Sequence, residues 1–167
     1  MTSGSRILTT HVGSLPRPPK LAELMVARET RALDATQIAR LPHLVRDAVK
    51  AVLRRQVESG IDVVSDGEQG KIGYATYVKE RMTGFGGEPG ALSLADLEDY
   101  PEISERALAG LITATPSCNG PVRYTGLEEL HNELAELRVA VDSARAAGAA
   151  PAEVFVPAAS PGVIAIY

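Results

Sequence analysis

The clearest periodicity in the chain lies between His43 and Glu58. Leu44, Val45, Ala48, Val49, Val52, Leu53 and Val57 recur there at intervals of three and four, which puts them on one face of an amphipathic helix. Gly60 follows as the residue that stops the helix in a left-handed conformation. Upstream, a helical pattern runs from about Lys20 to Leu33. Asp34 and Gln37 then have the spacing of a capping box, in which two side chains satisfy each other's free backbone donors. Pro42 is expected to break or restart the helix that this box opens, because it removes an interior hydrogen bond. Downstream, Leu127, Leu130, Leu134, Leu137, Val141 and Ala144 form a second apolar stripe. Thr125 and Glu128 have the spacing of its capping box, and Gly148 closes it. Shorter helices are expected at about 74–82 and at about 94–108, the latter capped by Ser93.

Between the helices lie short apolar runs that read as strands, at 6–12, 61–65, 111–115 and 153–157. The first ends in a turn, 13–19, whose three prolines cannot feed a sheet ladder. Gly84–Gly90 reads as a flexible loop and Pro121–Thr125 as a short extended arm. Strands that alternate with helices imply parallel pairing through crossover connections, hence an α/β fold. No internal repeat or linker marks a second domain. The last stretch, 161–167, is apolar, uncapped and uncharged, and reads as an element cut part way.

Composition narrows the picture. Aromatic residues are 4% of the chain and Trp is absent, so the core must be aliphatic. The formal net charge of -4 leaves no clustered basic excess for a nucleic-acid partner. No apolar run approaches the roughly 18 residues that a membrane span needs, and no signal-peptide pattern opens the chain. One cysteine, Cys118, excludes an internal disulfide and fits a cytoplasmic location.

In parallel α/β folds, ligands bind at the C-terminal ends of strands. Three such ends carry chemistry: His11-Val12-Gly13-Ser14, Asp66-Gly67-Glu68 and Ser117-Cys118-Asn119-Gly120-Pro121. Ser14 reads either as a turn serine bonded to its own backbone or as a donor to a carboxylate. Glu68 reads either as a solvated loop acid or helix cap, or as the partner of an ammonium group. His11 reads first as a hydrogen-bonded structural histidine and second as a base or metal ligand. Cys118 reads first as a small buried hydrophobe and second as a nucleophile. His43 and His131 fall on helix faces. No Cys/His pair has zinc-ligand spacing, and Gly84–Gly90 lacks the Lys-Ser/Thr of a phosphate loop.

Together these segments resemble the catalytic barrel of cobalamin-independent methionine synthases. Thr10-His11-Val12-Gly13-Ser14-Leu15-Pro16-Arg17-Pro18 resembles that family's opening strand and turn, and Val63-Val64-Ser65-Asp66-Gly67-Glu68-Gln69-Gly70-Lys71 its next strand end. Cys118-Asn119-Gly120-Pro121-Val122-Arg123-Tyr124-Thr125-Gly126 resembles a third family segment. The small single-barrel members, which include epoxyalkane–coenzyme M transferases, are the nearest in appearance. A barrel of the uroporphyrinogen-decarboxylase type matches the Gly-Ser and Gly-Glu pair less well.

The resemblance implies the N-terminal half of a (β/α)8 TIM barrel over 1–167, about four βα units. It is expected to be incomplete, since a closed barrel takes about 250 residues. It implies that Val12, Gly13 and Ser14 hold the carboxylate of an amino-acid thiol such as homocysteine, and that Glu68 holds its ammonium. Ser117 and Cys118 fall where the family touches a folate, the methyl donor; the family has an arginine where Ser117 stands. The family's zinc, which activates the thiol, uses ligands expected beyond Tyr167, so no zinc site is expected in this chain. The rival readings are alkyl transfer to coenzyme M and a non-catalytic truncated homologue. An open half-barrel leaves strand edges unpaired, so self-association is expected.

Overall fold

The computed structural model describes residues 6–86, 99–103, 105–106, 116–149 and 151–166. In chain order its helices and strands are α1 (Pro19–Glu29), α2 (Ala35–Glu58), β1 (Val63–Val64), α3 (Tyr74–Arg81), β2 (Met82–Gly86), β3 (Ser117–Tyr124), α4 (Leu127–Ala146), β4 (Glu153–Val154) and α5 (Pro161–Ile164). They divide into two compact units. One joins Met1–Ile72 to Glu128–Ala158, and the other joins Gly73–Leu127 to Ala159–Tyr167.

The first unit is built on α2. Its capping box forms as the spacing predicts: the Gln37 N–H donates to Asp34 Oδ1 at 2.8 Å, and the Asp34 N–H donates to Gln37 Oε1 at 2.9 Å. Such a cap contributes about 1 kcal/mol. The expected break at Pro42 does not occur, and α2 runs through it. The proline is exposed, and Ile38, whose carbonyl loses its helical donor, is 59% exposed. Water can therefore replace the missing bond. Gly60 takes φ +82, as expected of a helix-stop residue. The buried face of α2 meets two aliphatic clusters. Val49 and Leu53 join Val64 of β1 and Leu137, Ala140, Val141 and Ala144 of α4. Leu41 and Ala48 join Leu21, Leu24 and Met25 of α1.

Three parallel segments lie side by side here. β1 pairs with β4 through Val63↔Glu153 and Val64↔Val154, and Thr10 bridges to Val63 on the other edge. All three are shorter than the sequence suggests, and around β1 and the Thr10 segment side chains take backbone groups that a longer ladder would use. The Thr9 N–H donates to Asp62 Oδ2 at 2.9 Å instead of to a strand carbonyl. Beyond β1, the Gln56 side chain occupies both the N–H and the carbonyl of Ser65, at 3.1 and 2.9 Å. The ladder is therefore intercepted at both ends. The strand expected at 111–115 lies outside the described residues, as does most of the helix expected at 94–108; 101–103 and 105–106 are helical.

The second unit corrects the all-parallel expectation. β2 and β3 pair antiparallel, with Met82↔Tyr124, Thr83↔Arg123, Phe85↔Cys118 and Gly86↔Ser117 in register and an irregularity between Thr83 and Phe85. Gly84–Gly86, expected as loop, is thus strand, and Ser117–Pro121, expected as the end of a parallel strand, is its partner. Gly84 makes the irregularity possible: it has φ +82, and a Cβ there would lie 2.5 Å from the Gly120 carbonyl oxygen. The second capping box is not formed. The Thr125 hydroxyl donates to the Arg81 carbonyl at 3.2 Å, and the Thr125 N–H does so at 2.8 Å. The apolar tail is capped after all, since Ser160 Oγ accepts from the Val163 N–H at 3.2 Å and opens α5. The chain is a mixed α/β protein, with parallel and antiparallel pairing kept in separate small sheets.

Candidate functional site

Two loops leave the C-terminal ends of neighbouring parallel segments in the first unit. The first runs from Gly13 to Arg17, and the second from Ser65 to Lys71. Gly13 turns the first with φ +98. The second holds two consecutive residues in the left-handed region, Gly67 at φ +59 and Glu68 at φ +56. For glycine this costs little; for glutamate it costs about 1–2 kcal/mol. Such a conformation persists only where the surroundings impose it.

The surroundings here do so with a dense set of hydrogen bonds. Ser65 Oγ accepts from the Gly67 N–H at 3.2 Å, and Asp66 Oδ1 accepts from the Glu68 N–H at 3.0 Å. Asp66 Oδ2 meets Lys71 Nζ at 2.5 Å, in a pair whose side chains are only 13% and 9% exposed. The loops are also tied to each other. The Leu15 N–H donates to the Gly67 carbonyl at 3.0 Å, and Gln69 Nε2 donates to the Leu15 carbonyl at 2.9 Å. Arg17 donates from Nε to the Gln69 carbonyl at 3.1 Å, and from Nη2 to the carbonyls of Glu68, at 2.7 Å, and Lys71. Burial pushes the Arg17 guanidinium below its ordinary pKa, and the nearby Glu68 charge pulls it back up.

At the meeting of the loops, Ser14 Oγ donates to Glu68 Oε2 at 2.5 Å. The structure thus joins the two residues that the sequence singled out separately. Ser14 is exposed and Glu68 half-buried, so the pair is open to a solute while its backbone is fixed. A carboxylate has four lone-pair sites and Ser14 uses one, which leaves Glu68 able to accept further N–H groups. Val12, beside them, is 76% exposed.

Other candidates fare differently. His11 has a buried Nε2 with no hydrogen-bond partner among the described residues. Ser117 and Cys118 lie together in β3 of the second unit. Cys118 is exposed, contrary to the expectation of a buried hydrophobe, and its thiol lies 3.8 Å from the Gly120 carbonyl oxygen. It helps line a cavity of about 420 Å³ with Phe85, Val122 and Ile164. A cavity of about 580 Å³ in the first unit has Leu33, Leu41, Val45 and Gly70 in its wall, but neither Ser14 nor Glu68. Hydrogen-bond geometry, not volume, marks the loop pair. Among the described residues, no three His, Cys, Asp or Glu side chains converge to hold a metal ion, and no helix is long and apolar enough to cross a membrane.

Sequence reasoning missed Arg17, Gln69 and Gln56. The last two are 1% and 5% exposed, and all three serve backbone groups of these loops. Gln56 had a signal, because it is a polar residue within the most periodic helix. Arg17, between Pro16 and Pro18, had none beyond its rigid setting.

Comparison with known proteins adds a family. The family model described as the catalytic domain of cobalamin-independent synthase matches residues 7–91, just over half of the chain. The methionine synthase of Sulfolobus acidocaldarius is 40% identical over 77 residues, which cover 46% of this chain and 22% of that protein. The methionine synthase of Thermococcus kodakarensis is 35% identical over 82 residues, again covering 46% of this chain and 22% of the relative. The matched stretch therefore spans less than a quarter of each relative's length.

Proposed function

From the premise that the chain belongs to the cobalamin-independent synthase catalytic-domain family, we propose that it supplies the amino-acid-binding part of a methyl transfer to a thiol. The substrate is homocysteine, and the transfer carries a methyl group from methyltetrahydrofolate to the thiol sulfur. The three parallel segments are the opening strands of a (β/α)8 barrel, of which 1–167 is the N-terminal part. Glu68 receives the substrate ammonium. Ser14, whose hydroxyl donates to Glu68, keeps lone pairs that can accept from the same ammonium. The Gly13 and Ser14 N–H groups receive the substrate carboxylate, with Val12 alongside. Ser117 and Cys118 contribute to the second substrate's side.

The observation that carries this reading is the Ser14–Glu68 hydrogen bond between two loops locked together by their backbones. A surface glutamate with no binding role has no need of a strained φ and so many constraints. Zinc, which activates the thiol in the family, finds no three-ligand cluster among the described residues. No part of the binding described here passes through it.

Calorimetric titration of the chain with homocysteine and with a thiol lacking the amino group tests the assignment. A charge-assisted hydrogen bond contributes roughly 1.5–3 kcal/mol, about ten- to a hundredfold in affinity. Glu68→Gln should weaken homocysteine by that factor and leave the amino-free thiol unchanged. Equal weakening of both thiols, or no change for homocysteine, would show that Glu68 does not read the ammonium. Binding of an anionic sulfonate thiol in place of homocysteine would transfer the site to coenzyme M chemistry.

A further inference from the structure

The Glu68 loop is clamped from outside by one side chain. Arg17 follows Ser14 by three residues, and its guanidinium donates to the carbonyls of Glu68, Gln69 and Lys71. These are the carbonyls of the turn that holds Glu68 in the left-handed region. Arg17 is half-buried, with desolvation acting on its charge. Keeping a guanidinium there is costly unless its donors are used, and here two of its nitrogens serve three acceptors. A planar fork with five donors suits this geometry; a lysine carries its three donors on a single nitrogen and cannot span the same carbonyls.

We propose that Arg17 is a positioning residue for amino-acid binding: it ties the Ser14 loop to the Glu68 loop and fixes the direction of the Glu68 carboxylate. The proposal rests on the assignment of Ser14 and Glu68 as the amino-acid site. It adds that the site's affinity for the amino group depends on a residue that does not touch the substrate. The Glu68 charge also acts on the Arg17 guanidinium across the loop. Arg17 therefore holds the carboxylate in position through the backbone, while its positive charge competes with an ammonium for the same carboxylate. The two effects separate on substitution by lysine, which keeps the charge and loses the fork.

The test is a double-mutant cycle on the full chain, read by calorimetric titration with homocysteine and with the amino-free thiol, well below each variant's melting temperature. Arg17→Lys should weaken homocysteine about tenfold or more and leave the amino-free thiol unchanged. In the Glu68→Gln background, Arg17→Lys should have a clearly smaller effect than in the wild type, because the carboxylate it positions is gone. A purely structural arginine would lower the melting temperature yet leave the preference for homocysteine over the amino-free thiol intact; that result overturns the proposal. Additive losses in the double variant overturn it as well. If Glu68→Gln alone has no effect, or wild type binds no homocysteine, the amino-acid site itself fails and the proposal with it. If Glu68→Gln weakens binding and Arg17→Lys does not, only the role of Arg17 is rejected.

Discussion

The Glu68 loop and the Cys118 strand carried the same kind of sequence signal, yet the fold treats them in opposite ways. Each has a reactive side chain close to a glycine, at a place read as the end of a parallel strand. Glu68 is held in a left-handed conformation by bonds from Asp66 and Arg17, and Ser14 meets its carboxylate. Cys118 stands exposed on an antiparallel strand opposite Phe85, and its one described polar contact is a 3.8 Å approach to Gly120. A reactive residue type is common. A reactive residue whose backbone is constrained at a cost is uncommon, and this makes the Glu68 loop the stronger candidate.

Glycine substitutions should break this comparison with the largest effects. At Gly67 a Cβ would lie 3.2 Å from Leu15 Cβ and from both Val52 methyl carbons, at φ +59. At Gly84 it would lie 2.5 Å from the Gly120 carbonyl oxygen, at φ +82. Both alanine variants should lose roughly 1–3 kcal/mol of stability, read as a fall in melting temperature. Only Gly67→Ala should also abolish homocysteine binding, because it shifts the Leu15 and Glu68 loops against each other. If Gly84→Ala removes binding equally, the two regions are not functionally distinct.

A smaller effect sharpens the point at Glu68 itself. Glu68→Gly relieves about 1–2 kcal/mol of backbone strain. It gives back about 0.5–1 kcal/mol through chain entropy and about 1.5–3 kcal/mol through the lost Ser14 bond to a charged group. The melting temperature should therefore fall only modestly, by the equivalent of about 1–2 kcal/mol, while homocysteine binding falls at least tenfold. A large loss of stability would mean that Glu68 is there to hold the fold.

Acid titration probes the opposite end of the same segments. The Arg6 guanidinium and then the Thr9 N–H hold Asp62 well below the ordinary carboxylate range. A depressed folded-state pKa stabilises above the unfolded value, near 3.9, and the benefit is lost as pH falls through the folded value. Asp62→Asn should therefore be less stable than wild type at neutral pH, and the difference should shrink steadily below about pH 4. A gap between their denaturation midpoints that stays constant from pH 7 to pH 2 would remove Asp62 from the account.

What was legible in the sequence was local. The α2 stripe, the Asp34–Gln37 box and the stops at Gly60 and Gly148 depend on residues a few positions apart, and they form as expected. What was not legible depends on distant partners. Nothing near Thr9 says that Asp62 will take its N–H, and nothing near Ser65 says that Gln56 will take both of its backbone groups. The β2–β3 pairing joins segments some thirty residues apart through glycines that read as a loop. Of the candidate site, Ser14 and Glu68 were visible as residue types beside glycine, and their mutual hydrogen bond was not. Arg17 was invisible because its partners are carbonyls, which every residue has.

The smallest effect is expected at Cys118. Its side chain is exposed and its thiol makes no bond of ordinary length, so Cys118→Ser removes little packing and adds a hydroxyl that water can satisfy. Surface substitutions of this kind usually stay within about 0.5 kcal/mol. Stability should be unchanged within that margin, and so should homocysteine affinity if, as proposed above, Cys118 serves the second substrate. The same variant titrated with methyltetrahydrofolate gives the sharper reading. Weaker folate binding with unchanged homocysteine binding would place Cys118 at the second substrate and make both regions parts of one reaction. Unchanged binding of both would leave Cys118 as an exposed strand residue and confine the site to the Ser14 and Glu68 loops. A loss of homocysteine affinity would contradict the division drawn between the two regions.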